Sequence, residues 1–231
     1  MERLAYQDGG TALTGELYRP SGTARAAVAV FPTIMNPTQS VRDKAAALAD
    51  AGYLALICDF YGTAPDSFDQ ARDLAIALRQ DVGAYRSRLR AGLRALASLP
   101  DARSLPMVAI GFCMGGQAVL ELARDGAPLA CVTSFHGLLD TQAPAEPGTI
   151  NARILVCHGD ADPMVSRSQV LSFWEEMDAA RTDWHFHAYS GVKHGFTNPY
   201  PVAGNAAVAY DESADRQSWA AMLSMVEEAI A

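Results

Sequence analysis

The sequence is short of positive charge, of cysteine and of long apolar runs. Lysine and arginine number 18 against 26 aspartate and glutamate residues, so the formal net charge is −8 at pH 7. A chain of this charge lacks the basic surface that attracts phosphates over long distances, and we expect no nucleic-acid partner. It would not steer acidic substrates either, so an anionic substrate would need an arginine in its own site.

The absence of a long apolar run argues against a membrane-spanning helix. No run approaches the roughly 20 residues that are needed to cross a bilayer. The opening segment, MERLAYQDGG, lacks the basic and then apolar pattern of a secretory leader. We therefore expect a cytoplasmic protein that does not contact a membrane.

The four cysteines, Cys58, Cys113, Cys131 and Cys157, lie far apart in the sequence. This spacing favours reduced thiols over disulfides or a paired-cysteine metal site. His185 and His187 alternate on a predicted strand and therefore share one face, but no third ligand follows nearby. Since no phosphate-binding glycine loop is found either, we expect neither a metal nor a cofactor.

A repeated alternation of strand and helix patterns indicates the fold class. Hydrophobic residues make up 50% of the 231 positions, and we expect one large core and a single domain over residues 1–231. An N-terminal antiparallel hairpin is predicted to turn at Asp8-Gly9-Gly10. The rest predicts an α/β fold, with a mostly parallel central sheet and helices on both faces. No insertion is long enough for a separate lid domain.

Capping and stop signals predict where the first helices begin and end. Ser40 and Asp43 have the spacing of a capping box, which predicts the start of the first helix. Residues 67–99 are helical in pattern, with Gly83 and Gly92 as candidate breaks.

Two further helices are predicted near the end of the chain. Ser166 and Gln169 form a second capping-box pattern. A closing helix over residues 212–230 carries one apolar face, formed by Trp219, Met222, Leu223, Val226 and Ile230. In a fold of this class, ligands bind beyond the carboxyl ends of the parallel strands, so functional residues are expected just after each strand.

The stretch Gly111-Phe112-Cys113-Met114-Gly115-Gly116 follows one such strand. Its glycines stand where a sharp strand-to-helix turn brings backbone atoms too close for side chains. Such a turn exposes its central side chain and places Cys113 at a helix N-terminus, which favours a thiolate. No serine has the G-x-S-x-G setting. The alternative is a small buried cysteine beside an ordinary glycine turn.

Two residues further along the chain complete a catalytic pattern. The stretch RILVCHGDAD predicts a strand, and Asp162 stands three residues past Gly159, in the loop after the strand, where a carboxylate can orient an imidazole. His194 follows the predicted strand WHFHAYS. The order Cys113, Asp162, His194 is the order of nucleophile, acid and histidine in α/β hydrolases, although either residue alone would more often be structural.

The motifs GFCMGG, HGDADPMV and KHGF resemble those of the dienelactone hydrolase family of α/β hydrolases, and the likeness extends from RAAVAVFP to the final helix. The resemblance implies the α/β-hydrolase fold and cofactor-independent hydrolysis of a small ester or lactone. It implies that Cys113 is the nucleophile, His194 the base and then the acid, and Asp162 the orienting carboxylate. An oxyanion hole is expected from the backbone N–H groups of Met114 and Ile34.

This sequence departs from the family at the substrate contacts. Thr33 stands where well-known members carry a glutamate that governs the protonation of the cysteine, and Thr197 and Asn198 replace a substrate-binding arginine. Arg79 is a candidate for another arginine contact, or is a solvated surface charge.

His136 is expected either to line the pocket or to make a structural hydrogen bond. Tyr61, Phe112 and Phe196 are candidates for its apolar walls. The alternatives to a dienelactone hydrolase-like enzyme are a general carboxylesterase or thioesterase on the same triad, and a catalytically silent binding protein. For each of these functions, we expect the protein to be a monomer or a homodimer.

Overall fold

The computed structural model describes residues 1–200 and 205–231, which form a single eight-stranded sheet covered by helices. The strands are β1 (Glu2–Asp8), β2 (Thr11–Tyr18), β3 (Ala27–Phe31), β4 (Leu54–Ile57), β5 (Met107–Phe112), β6 (Cys131–Phe135), β7 (Arg153–Gly159) and β8 (Trp184–Tyr189). Their order across the sheet is β1-β2-β4-β3-β5-β6-β7-β8. The hairpin β1–β2 is antiparallel, as predicted, β2 pairs antiparallel with β4, and β3 to β8 are parallel.

Helices in the described residues cover both faces of this sheet. They are α1 (Gln39–Asp50), α2 (Phe68–Arg79), α3 (Val82–Ala97), α4 (Met114–Arg124), α5 (Arg167–Ala180) and α6 (Glu212–Ile230). One buried cluster joins α3, α4 and α5 to one face, and a second joins α1 and α6 to the other. The predicted α/β fold with a mostly parallel sheet is confirmed, and no separate lid domain is found among residues 1–200 and 205–231.

Alternation along the strands produces the two clusters. In β3, Ala27, Ala29 and Phe31 belong to the cluster with α4, whereas Val28 and Val30 belong to the cluster with α1 and α6. Successive strand side chains point to opposite faces, so a strand buried on both sides reads as a continuous apolar run. The predicted apolar face of α6 packs here, with Met222 and Val226 fully buried and its other residues partly buried.

One capping prediction is wrong and another is confirmed. Helix α1 begins at Gln39, and its N-cap residue, Thr38, makes no side-chain capping bond. Ser40 is instead buried and its hydroxyl donates to the Thr197 carbonyl, so tertiary contact replaces the expected cap. The capping box of Ser166 and Gln169 at the start of α5 is confirmed.

The predicted helical segment 67–99 is divided, but not at either glycine. Helix α2 ends at Arg79 and α3 begins at Val82. Asp81 caps α3 by accepting hydrogen bonds from the Gly83 and Ala84 N–H groups. The break therefore comes from a capping aspartate, whose side chain competes with the helix for backbone donors.

None of the helices in the described part of the chain is long and apolar enough to cross a membrane.

Candidate active site

Cys113 occupies a sharp turn between β5 and α4. Its backbone has φ 56° and ψ −115°, a region that residues with a side chain rarely adopt. A Cβ atom on Gly111 would lie 1.9 Å from the Gly115 carbonyl oxygen, and one on Gly115 would lie 2.0 Å from that of Phe31. Only glycine permits these backbones to approach so closely. The motif thus forms the strained turn that the sequence predicts, with Cys113 at its apex.

The surroundings of Cys113 favour the thiolate. Burial is the largest single influence on this thiol and acts to raise its pKa, but the charge of His194, its hydrogen bond to the sulfur and two backbone hydrogen bonds together lower the pKa from the ordinary value. The backbone N–H groups of Met114 and Ile34 also lower the pKa of Cys113, because they direct hydrogen-bond donors at the sulfur. These are the two groups that the sequence predicts for the oxyanion hole.

His194 lies between Cys113 and Asp162. Asp162 follows β7 and His194 follows β8, and the His194 Nδ1–H donates to Asp162 Oδ2 over 2.7 Å. Both side chains are buried, and His194 Nε2 has no hydrogen-bond partner among the described residues. Burial acts to lower the pKa of His194, but the charge of Cys113 and the bond to Asp162 raise it to about 10. The three residues are therefore brought together, with Nε2 left available beside the thiol.

A cavity of about 610 Å³ reaches Cys113 and His194. Its walls come mainly from segments that follow the parallel strands, where ligands bind in folds of this class. Most of the wall is apolar and is formed by Ile34, Met35, Val41, Phe68, Ala75, Phe112, Met114, Leu138, Met164 and Val208. A cavity of this size and character suits a small organic molecule better than a polymer or a strongly charged ligand.

The cavity separates the predicted contact residues into two groups. Thr33, Arg79, His136 and Asn198 line it. Phe196 does not, because it is fully buried and packs edge-on behind His136, with ring centroids 5.2 Å apart. The expectation that Phe196 contacts substrate is therefore wrong.

Tyr61 is likewise not among the residues that line this cavity. Its hydroxyl donates to the Ile34 carbonyl over 3.1 Å. Its expected role as an apolar wall is therefore wrong, whereas Phe112 does line the cavity.

His136 both lines the cavity and makes structural hydrogen bonds, so the two alternatives hold together. Its Nδ1 accepts from the Cys113 N–H over 3.1 Å, so the ring proton lies on Nε2, which donates to Thr197 Oγ1 over 2.8 Å. Burial lowers the pKa of His136 well below its ordinary value, and the neighbouring His194 lowers it further. A neutral His136 therefore packs against the turn that carries Cys113.

Arg79 lies at the end of α2 and is only partly exposed, with its side chain 30% accessible. Its guanidinium Nη2 is 3.9 Å from Asp140 Oδ2, a loose ion pair that leaves donors free. Arg79 is therefore a cavity residue rather than a fully solvated surface charge. Among the described residues that line the cavity, it is the arginine available to contact an anionic group.

Several wall residues were missed by sequence reasoning. Leu138 and Met164 follow β6 and β7, so a rule that searches after every strand could have found them. Phe68 lies on α2, and no local signal marks it as a cavity residue. Among the described residues, no group of three His, Cys, Asp or Glu side chains is arranged to hold a metal ion.

Comparison with known proteins indicates the family to which the chain is similar. A model of the dienelactone hydrolase family matches residues 13–230. A probable 2-oxo-3-(5-oxofuran-2-ylidene)propanoate lactonase of Bradyrhizobium sp is 29% identical over 208 residues, which cover 83% of this chain and 84% of that protein. A solved structure named m3DLH is 35% identical with a TM-score of 0.93, and the match covers 100% of this chain and 98% of the other. A dienelactone hydrolase-like promiscuous phosphotriesterase from metagenomic libraries is 33% identical with a TM-score of 0.92, over 98% and 97% of the two chains.

Proposed function

We propose, since this chain belongs to the dienelactone hydrolase family, that it hydrolyses a small ester or lactone through Cys113, His194 and Asp162. The observation that carries the proposal is the mutual effect of the first two residues. His194 lowers the pKa of Cys113 and Cys113 raises the pKa of His194, so each favours the charged form of the other. Both residues lie beside an apolar cavity of about 610 Å³. Perturbed groups of this kind in a cavity are typical of a reactive site.

In the first half-reaction, the Cys113 thiolate adds to the carbonyl carbon and a C–S bond forms. The carbonyl electrons move to oxygen, and the resulting oxyanion accepts hydrogen bonds from the Met114 and Ile34 N–H groups. The intermediate collapses with cleavage of the C–O bond. The leaving alkoxide takes the proton from His194 Nε2 and a thioester remains; an ester releases an alcohol, whereas an opened lactone keeps the new hydroxyl on its acyl chain.

In the second half-reaction, neutral His194 takes a proton from water through Nε2 as the water oxygen attacks the thioester. The same two N–H groups stabilise the new oxyanion. Collapse expels the Cys113 thiolate and releases the carboxylic acid. The thiolate and the protonated His194 are thereby restored. Asp162 keeps the Nδ1–H of His194 engaged throughout, which leaves Nε2 for proton transfer.

The cavity supports a substrate with an apolar body. The Arg79 guanidinium could bind a substrate carboxylate, which a lactone that carries a carboxylate would require. The prevalence of apolar wall residues favours a second candidate on the same triad, a general carboxylesterase or thioesterase for uncharged substrates. The two candidates differ in whether a substrate carboxylate improves kcat/KM.

The test is a panel of small aryl esters, thioesters and lactones with and without a carboxylate, including dienelactone. A phosphotriester is added because one structural relative is named a phosphotriesterase. Wild type is compared with Cys113→Ala and with Cys131→Ala, which removes a buried thiol at the far, amino end of β6. We expect Cys113→Ala to abolish turnover and Cys131→Ala to retain it.

Turnover that is absent from wild type, or equal in wild type and Cys113→Ala, would contradict the thiol mechanism. If a ligand from the panel still bound under those conditions, the catalytically silent binding protein would become the better description. A preference for carboxylated substrates would favour the dienelactone hydrolase-like activity over the general esterase.

A further inference from the structure

The Ile34 N–H, one of the two proposed oxyanion donors, belongs to a tight turn that follows β3. The turn closes where the Asn36 N–H donates to the Thr33 carbonyl over 3.0 Å. Asn36 has φ 62°, a left-handed conformation that asparagine tolerates better than most residues. Thr33 Oγ1 also accepts from the Met35 N–H over 3.2 Å. The direction of the Ile34 N–H therefore depends on how this turn is held.

The side chain of Asn36 fixes the turn to the adjacent segment after β4. It is 4% exposed, and its Nδ2 donates to Asp59 Oδ1 over 2.8 Å and to the Thr63 carbonyl over 3.3 Å. Its Oδ1 accepts from the Phe60 N–H over 3.1 Å. A buried amide with three partners is costly to disturb, because each lost bond leaves a polar atom without solvent.

The carboxylate of Asp59 connects this network to two other parts of the chain. Besides Asn36, its carboxylate accepts from the Tyr61 and Gly62 N–H groups, each over 2.9 Å, and from the Thr14 N–H over 3.0 Å. These donors come from β2 and from the segment after β4, so the carboxylate joins two parts of the chain that pack beside the turn. Charge-assisted bonds of this kind are stronger than neutral ones.

Tyr61 adds a contact on the other side of the same turn. Its hydroxyl donates to the Ile34 carbonyl over 3.1 Å and lies 3.3 Å from Met114 Sδ. It therefore touches both residues whose N–H groups are proposed to hold the oxyanion. Burial raises the pKa of Tyr61, so the hydroxyl keeps the proton that it donates.

We propose that Asn36 and Tyr61 are positioning residues that hold the Ile34 N–H in the oxyanion hole, with Asp59 as their anchor. The inference deepens the proposed function and rests on it. Neither side chain needs to touch the reacting atoms. Each acts on the direction of a donor whose complete loss costs about 100-fold to 1000-fold in kcat, so partial displacement costs less.

The test compares Asn36→Gly and Tyr61→Phe with wild type on the best ester of the panel. Glycine accepts φ 62° without strain, so Asn36→Gly removes the side-chain bonds and spares the turn conformation. Arg181→Gly is the matched control, because Arg181 is exposed, has φ 58° and lies at the end of α5. We expect kcat to fall about 10-fold to 100-fold in Asn36→Gly and about 3-fold to 10-fold in Tyr61→Phe. KM should stay within about twofold, and Arg181→Gly should match wild type.

Alkylation of Cys113 by iodoacetamide provides the second measurement. This displacement forms no oxyanion, so its rate at a pH where the thiolate is complete should be unchanged in both variants. An unchanged kcat in Tyr61→Phe and Asn36→Gly would overturn the inference. It would also be overturned by an alkylation rate that falls in parallel with kcat, since that would report a general disturbance of the Cys113 turn. Absence of Cys113-dependent turnover in wild type would instead contradict the proposed function itself.

Discussion

At the scale of single residues, the proposed chemistry depends on two opposite charges, on Cys113 and His194, in a largely enclosed site. An isolated buried thiol resists ionisation, as Cys58 does, where burial raises the pKa. Cys113 is more accessible than Cys58 but still largely enclosed, and its pKa is lowered because His194 and two backbone donors face it. The opposite directions of the two pKa shifts thus depend on the groups that face each sulfur.

The first prediction concerns the pH dependence of this pair. The rate of Cys113 alkylation in wild type should rise with pH through an inflection below the ordinary thiol value of about 8.5. His194→Ala removes a positive charge and should move the inflection upward, since the thiolate loses its main support. Iodoacetamide kinetics across a pH series measure both values. An inflection that is the same in both proteins would contradict the charge pairing.

A second prediction concerns Thr33, which the resemblance to the family places at the position of a glutamate. Thr33 lines the cavity beside Cys113. Thr33→Glu should place a negative charge near the thiolate and raise the pKa of Cys113, because like charges oppose ionisation. The same alkylation series tests the shift, and Thr33→Gln is the uncharged control. If the two variants have the same inflection, charge at this position does not determine the pKa of Cys113.

The third prediction concerns Arg79. Arg79→Gln should raise KM for a carboxylated ester by about tenfold relative to a neutral ester of the same size, which corresponds to about 1.4 kcal/mol. The loose pair with Asp140 and partial exposure keep the expected effect modest. Arg72→Gln, on the outer part of the same helix, is the control. Equal changes for both substrates would assign Arg79 to packing alone.

At the scale of elements, the turn between β5 and α4 is the most constrained segment of the site. Every residue of α4 is buried, so the helix cannot shift to relieve a clash at its start. The strain of the Cys113 backbone, on the order of 1–3 kcal/mol, is tolerated because the surrounding core holds it in place. The position of Cys113 is therefore maintained by packing on both sides of the turn.

The fourth prediction tests that constraint. Gly115→Ala should lower the free energy of unfolding by about 3 kcal/mol, because its Cβ would clash with the backbone of β3. Gly22→Ala should be neutral, since nothing lies within 4 Å of the added atom. Urea unfolding measures both. A loss in Gly115→Ala that is no larger than in Gly22→Ala would mean that the turn can adjust.

At the scale of the whole molecule, burial is distributed unevenly around the cavity. Helix α4 is buried throughout, whereas α2 buries only Ala71 and Ala75 while contributing Phe68, Ala75 and Arg79 to the cavity wall. Segments with few buried apolar contacts open at low free-energy cost. The wall of the cavity that α2 forms is thus much less firmly packed than the helix that follows Cys113.

The fifth prediction follows from this contrast. Amide hydrogen exchange in α2 should be faster than in α4 at the same pH and temperature, because α2 can detach without opening the core. Exchange of peptides that cover residues 68–79 and 114–124 measures the two rates. Equal protection of the two helices would mean that α2 opens only with global unfolding.

The sequence by itself determined the order of the helices and strands and the sharp turn that carries Cys113. The strand periodicity is local, and the glycines at positions 111 and 115 have a steric reason that can be read without a structure. The succession Cys113, Asp162, His194 followed from the rule that functional residues stand after strands. That rule predicted three loops but not the side chains that other segments add to the site.

The tertiary structure decided the features that depend on contacts between residues far apart in the sequence. Phe196 and Tyr61 are aromatic residues in loops, and their sequence neighbourhood does not indicate that one packs behind His136 while the other reaches the Ile34 carbonyl. The bond from Asn36 to Asp59 joins the segments that follow two neighbouring strands, β3 and β4, which are separated by α1 in the chain. Local residue type sets the conformations that a turn can adopt, whereas the direction of its donors depends on contacts that form only when the sheet is assembled.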